Sequence, residues 1–362
     1  MSATPKTFRC LMGHRAMLTL TRDGNGPDTF SLMLAASGGP RWIGLVGIDR
    51  ALTKFLRERG ERRLPILGSS SGAWRVAAMA SDSDGSAYDE LQHEYIHQRY
   101  EGKPTPSEVS HTCAEYLSRI FTTERLNYAV NNSLFHANFT TAIFRRELPG
   151  RARTFASLAG LPLLNAIDRY LMSTVFQRGL FSAGPHPVHS PLRRHPSWDD
   201  FPTRKITLSP RNMVPALLAS GSIPFVLAGV SAIPGAGPGH HYDGGLIDYH
   251  FEVESEGPVL YPHFAEDPLP GWMDRFPPFR RLSAKARENL CLILPSNEQL
   301  AKYPGEFYPG RIDFQRLSND ERIRRWNTIA ELNLPIQREL SACLEAGELV
   351  KFAEPLKGSP RA

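Results

Sequence analysis

Apolar positions along this chain fall into two kinds of run. Some are short, continuous and halted by glycine or serine; others recur at helical spacing. Phe30 to Ala36 is nearly all apolar, which predicts a strand buried on both faces, as in a parallel or mixed sheet. Leu64 to Leu67 is a second such run and stops at Gly68. Lys205 to Ser209, Gly257 to Tyr261 and Asn289 to Leu294 read as further strands. Ile43, Val46, Leu52, Phe55 and Leu56 outline one apolar helix face that starts near Pro40 and ends before Gly60. Trp74 to Ala80 and Asn212 to Ala219 read as helices, and Ser318 to Leu349 as helix broken at Pro335. Ala16 to Thr21 alternates loosely and reads as a strand. With the turn-rich Asp23 to Asp28 it predicts an opening hairpin onto Phe30 to Ala36. The alternation of strand and helix predicts an α/β fold with a mostly parallel central sheet.

Residues 86–182 break that rhythm. Tyr88 to Tyr100, Glu108 to Phe121, Glu124 to Leu148 and Leu163 to Phe181 all read as helical, with a break near Asn131-Asn132. The expectation is one domain over 1–362 with a large helical insertion or cap at 86–182. Ala183 to Pro202 is rich in proline, histidine and serine. It reads as an extended surface linker, and His186, His189 and His195 as solvated. Gly229 to Gly239 is a glycine- and proline-rich loop or hairpin.

Composition narrows the field. With 41% hydrophobic and 22% charged residues, the chain can build a globular core. The net charge of +5 is mild and no long Lys/Arg run occurs, so a nucleic-acid partner is not expected. Contact with an anionic membrane surface fits that charge. Cys10, Cys113, Cys291 and Cys343 are far apart and form no Cys-x-x-Cys, which points to neither a metal site nor a redox pair. The N-terminus lacks a continuous apolar segment, and no apolar stretch nears the ~20 residues of a spanning helix. A cytoplasmic protein, at most peripheral to membranes, is the expectation.

Three stretches carry candidate chemistry. Gly68-Ser69-Ser70-Ser71-Gly72 follows a strand and precedes a helix, the pattern of a nucleophile elbow with Ser70 at its apex. There the helix N-terminus favours developing negative charge. Ser37-Gly38-Gly39-Pro40-Arg41 also joins a strand to a helix. Its uncovered backbone N–H groups suit an oxyanion hole, with Gly38, Gly39 and Arg41 as donors; Pro40 has no N–H to give. It lacks the ending of a P-loop and the spacing of a dinucleotide fingerprint. Asp243-Gly244-Gly245 offers a carboxylate in a turn tight enough to approach the nucleophile.

Together with Ala219-Ser220-Gly221-Ser222-Ile223-Pro224, these motifs resemble, in order, those of the patatin-like lipid acyl hydrolases. The resemblance spans roughly residues 30–250. Ser37 stands where that family has a first glycine, and Ser222 where alanine is usual. The resemblance implies a three-layer α/β/α fold and a Ser70–Asp243 dyad. It implies cleavage of carboxylic esters of phospholipids or related acyl lipids through an acyl-enzyme, with no cofactor or metal. Two other readings stay open. One is a Ser–His–Asp esterase or thioesterase using His240, His241, His250 or His263. The other is a silent binding or scaffold protein on the same fold.

Overall fold

A computed structural model of the chain describes residues 6–60, 63–145, 160–184, 200–277 and 279–358. The architecture is mixed α/β around a mostly parallel central sheet, consistent with three layers. The strands are β1 (Phe8–Met12), β2 (Leu32–Ala35), β3 (Leu64–Ser69), β4 (Phe135–Phe144), β5 (Phe176–Ser182), β6 (Thr203–Thr207), β7 (Val230–Ser231), β8 (His240–Asp243), β9 (Val259–Pro262), β10 (Leu290–Pro295) and β11 (Ala353–Pro355). Their order across the sheet is β11-β1-β10-β9-β2-β3-β4-β5-β6, and the central run from β10 to β4 is parallel throughout.

Alternation along the strands divides the core. Met33, Ile66, Cys291 and Ile293 face one apolar cluster, while Leu34, Leu67, Leu292 and Leu294 face another. Helices cover the first face, among them α2 (Val46–Leu56) and α3 (Ser71–Ala80). Phe251, Val253, Leu282 and Leu356 close the second. All four cysteines are buried and free. Among the described residues no helix is long and apolar enough to cross a membrane.

Two expectations about elements are corrected. Ala16 to Thr21 is not a strand but part of α1 (His14–Asp23). Its buried residues, Ala16 and Leu20, sit one helical turn apart, and Gly24 stops it at φ 78°. The opening hairpin is therefore absent. Residues 86–182 are helical only in part. The helices α4 (Ser86–His97), α5 (Pro106–Ile120) and α6 (Thr123–Asn131) form as expected. Beyond them, β4 and β5 are strands of the main sheet, where Glu124 to Leu148 and Leu163 to Phe181 were expected to continue as helix. The misleading feature is that β4 buries its polar residues too: Asn138, Thr140 and Thr141 are fully covered. Residues 146–148 at the end of that expected helix and the linker histidines His186, His189 and His195 lie outside the described residues.

Candidate active site

The strand, turn and helix expected around Ser70 form. β3 ends at Ser69, α3 starts at Ser71, and Ser70 between them takes φ 54° and ψ −132°. A positive φ is costly for any residue with a side chain, of order 1–3 kcal/mol. Neighbouring elements hold it in place. A Cβ on Gly72 would lie 2.2 Å from the Ala35 carbonyl oxygen, so only glycine lets α3 start this close to β2. The Ser70 N–H donates to Ser220 Oγ at 3.0 Å, and Ser220 Oγ–H donates to the Thr140 carbonyl at 2.7 Å. Since Ser70→Gly and Ser70→Ala both remove the hydroxyl, their difference isolates the backbone strain. The glycine variant is expected to be more stable by about 1 kcal/mol in chemical denaturation. Equal stability would show an unstrained elbow.

Asp243 arrives from β8, a distant part of the chain. β3 pairs with the first part of β4, ending at Ser69 opposite Thr140. β8 pairs with the rest of β4 on the same side, and Asp243 lies opposite Thr141. Adjacent residues of one strand thus set the serine and the carboxylate side by side. A Cβ on Gly244 would come within 2.3 Å of the Thr140 carbonyl oxygen, so the turn after β8 needs glycine to hug β4. The Asp243 N–H is held by the Ser222 carbonyl at 2.9 Å. The segment Ala219 to Pro224 therefore braces both partners, through Ser220 and Ser222.

Ser70 Oγ–H donates to Asp243 Oδ2 at 2.8 Å, and the Gly245 N–H donates to Oδ1 at 2.7 Å. Both residues are buried. Burial pushes the Asp243 carboxyl up from 3.8 to about 6, against the pull of its two hydrogen bonds and of Arg311. The carboxylate is thus charged at neutral pH yet a stronger base than an exposed aspartate.

Ser70 and Asp243 open into a cavity of about 200 Å³ that Gly38 and Gly39 also line. Among the described residues neither glycine N–H has an acceptor, so both remain available to an oxyanion. Ile223, Phe225, Leu246 and Met273 make much of the remaining wall apolar. Arg41, the third expected donor, is not part of the lining. Its N–H turns to the Gly38 carbonyl at 3.5 Å, and its guanidinium lies 5.1 Å from the centre of the Phe264 ring. Ser37, in the place of a glycine, donates to the Ser69 carbonyl at 2.9 Å and ties the two site loops together.

The four candidate histidines bond elsewhere. His241 Nδ1 meets Thr141 Oγ1, His250 Nδ1 accepts from the Leu269 N–H, His240 Nδ1 meets Ser231 Oγ, and His263 Nδ1 lies by Ala265. Burial pushes His241 down to about 4 and His263 to about 3, so both are neutral at pH 7.

Two groups around the site escaped the sequence reading. Arg311 lines the cavity from a loop far along the chain. Arg75, on the first turns of α3, is fully buried and grips Asp49 with two bonds of 2.6 and 2.7 Å, while Tyr88 also donates to Asp49. Arg75 further donates to the Ala36 carbonyl at 3.1 Å, just before the Gly38-Gly39 turn. An arginine inside a small-residue helix was the only available signal. Among the described residues no group of histidine, cysteine and acidic side chains is placed to hold a metal ion. No protein-family model matches the chain, and a search of curated proteins finds no match.

Proposed function

We propose that the protein is a serine hydrolase of carboxylic esters, acting on acyl lipids through a Ser70–Asp243 dyad. The observation that carries this reading is the 2.8 Å bond from Ser70 Oγ to a buried carboxylate, beside two glycine N–H groups that have no acceptor among the described residues. In this mechanism Ser70 Oγ attacks the ester carbonyl while Asp243 takes its proton. The Gly38 and Gly39 N–H groups hold the oxyanion; losing one such donor typically costs about 3 kcal/mol of transition-state stabilisation. Asp243 returns its proton to the leaving alkoxide. It then takes a proton from water as that water attacks the acyl-enzyme, and gives it back to Ser70 as the acid leaves. The apolar wall suits an acyl chain. The resemblance to patatin-like lipases supports the same chemistry and the three-layer form of the fold. A cytoplasmic location, with contact to anionic membranes, belongs to the same reading.

The test is labelling with a fluorophosphonate probe together with turnover of p-nitrophenyl esters, lysophospholipids and phospholipids. Labelling and turnover are expected in the wild type, and both vanish in Ser70→Ala. Turnover that survives in Ser70→Ala, or that depends on a histidine and not on Asp243, overturns the dyad. A wild type that neither labels nor turns over any ester favours the scaffold reading.

A further inference from the structure

Resting on the ester-hydrolase reading, we propose that Arg275 and Arg311 form an anion-binding subsite at the mouth of the Ser70 cavity. It selects acyl esters bearing a phosphate or carboxylate near the scissile bond over zwitterionic or neutral esters.

Three guanidinium groups gather beside the Ser70 cavity. Arg311 lines the cavity, with its Cγ 3.5 Å from where a side chain on Gly39 would begin. Arg275 spreads over the Trp272 ring, 4.3 Å from its centre, and lies 5.9 Å from the Tyr249 ring. Trp272 and Tyr249 both line the same cavity. Arg41 adds a third cation, its Nη1 3.5 Å from the Tyr249 hydroxyl. Among the described residues none of the three guanidinium groups is paired with a carboxylate. Elsewhere in the chain, Arg50, Arg125 and Arg287 each hold an aspartate or glutamate.

Burial, and then repulsion from Arg41 and Arg311, draws the Arg275 guanidinium below its ordinary value. Clustered like charges weaken each other's protonated state, and a bound anion relieves that cost. Guanidinium groups present forked donors that match phosphate and carboxylate oxygens, and stacking on an aromatic ring pre-orients the fork. The neighbouring wall of Ile223, Phe225, Leu246 and Met273 would take an acyl chain. Apolar depth and cationic rim together describe an amphiphile with an anionic end.

Binding to the inert Ser70→Ala protein tests this without turnover. The ligands are three short-chain, sub-micellar monoacylglycerols: the phosphate, the phosphocholine and the unsubstituted alcohol, measured by calorimetry. The phosphate is expected to bind about tenfold or more tightly than the other two. Adding Arg311→Ala or Arg275→Ala removes most of that preference, whereas Arg311→Lys retains part of it. Equal affinities, or a preference that survives both arginine substitutions together, overturn the subsite. Inorganic phosphate bound through Arg311, without preference among the lipids, also overturns it and leaves a free-anion site. Hydrolysis is read separately with Ser70 intact. If no ester is hydrolysed while the binding preference stands, the hydrolase reading fails and the subsite survives. Equal hydrolysis of all three esters, with equal binding, removes the subsite alone.

Discussion

Asp243→Asn is expected to lower ester turnover by about 10³–10⁴-fold, the usual scale for losing a positioned general base. The same change should raise stability at alkaline pH. The folded Asp243 carboxyl has a pKa of about 6 against 3.8 for the free group. Between those values the folded protein keeps a proton that the unfolded chain has released. Stability therefore falls as pH rises through that window, by roughly 3 kcal/mol in total. Asparagine carries no charge to bury. It still accepts from the Gly245 N–H and can donate to Ser70, so part of the penalty is recovered. A melting temperature higher by a few degrees than wild type at pH 8, with little difference at pH 4, is the expected pattern. For wild-type turnover, kcat/KM should climb through an acid limb near pH 6 as Asp243 ionises. Arg311 favours the ionised form, so Arg311→Ala should move that limb to higher pH. A limb near pH 4, or equal melting temperatures at pH 8, would contradict a desolvated base.

Arg75→Met should destabilise the protein by about 3–5 kcal/mol in chemical denaturation. The reason is the partner left behind. Asp49 and Arg75 are both completely buried, and methionine leaves the Asp49 carboxylate with only the Tyr88 hydroxyl as side-chain donor among the described residues. Joint replacement of Asp49 and Arg75 by leucine and methionine should recover more than half of the loss, because it removes the uncompensated charge. Activity should stay depressed even then, since the Arg75 bond to the Ala36 carbonyl anchors the strand end that presents Gly38 and Gly39. A loss under about 1 kcal/mol for the single change would mean that water reaches the Asp49 carboxylate.

The local signals were legible for a physical reason. At Gly72 and Gly244 a side chain would strike a neighbouring carbonyl, so the chemistry of a close turn is written directly into residue type. The expected positions of β2, β3, β9 and β10 follow from short buried runs and match to within a few residues, as does the more exposed β6. Reading failed where burial and polarity conflicted. His136, Asn138, Thr140 and Thr141 made β4 look unlike a core strand. Asn138 Nδ2 reaches the carbonyls of Ile66 on β3 and of His136, and Thr141 meets His241, so part of the polar content of β4 is met by partners from other segments, while Asn138 Oδ1 and Thr140 Oγ1 have none among the described residues. No local pattern announces such partners.

From residue order alone came the α/β alternation, the elbow at Ser70, the glycine pair Gly38-Gly39 and the carboxylate turn at Asp243, because each depends on sterics and hydrogen bonding within a few neighbouring residues. Only the folded chain settled that Ser70 and Asp243 touch, because β3 and β8 must pair end to end along one side of β4, opposite Thr140 and Thr141. The same holds for Arg75, Ser220 and Arg311, whose partners or neighbours in the site lie far away in the sequence. Strand register and long-range charge placement are properties of the assembled sheet, and local spacing cannot encode them.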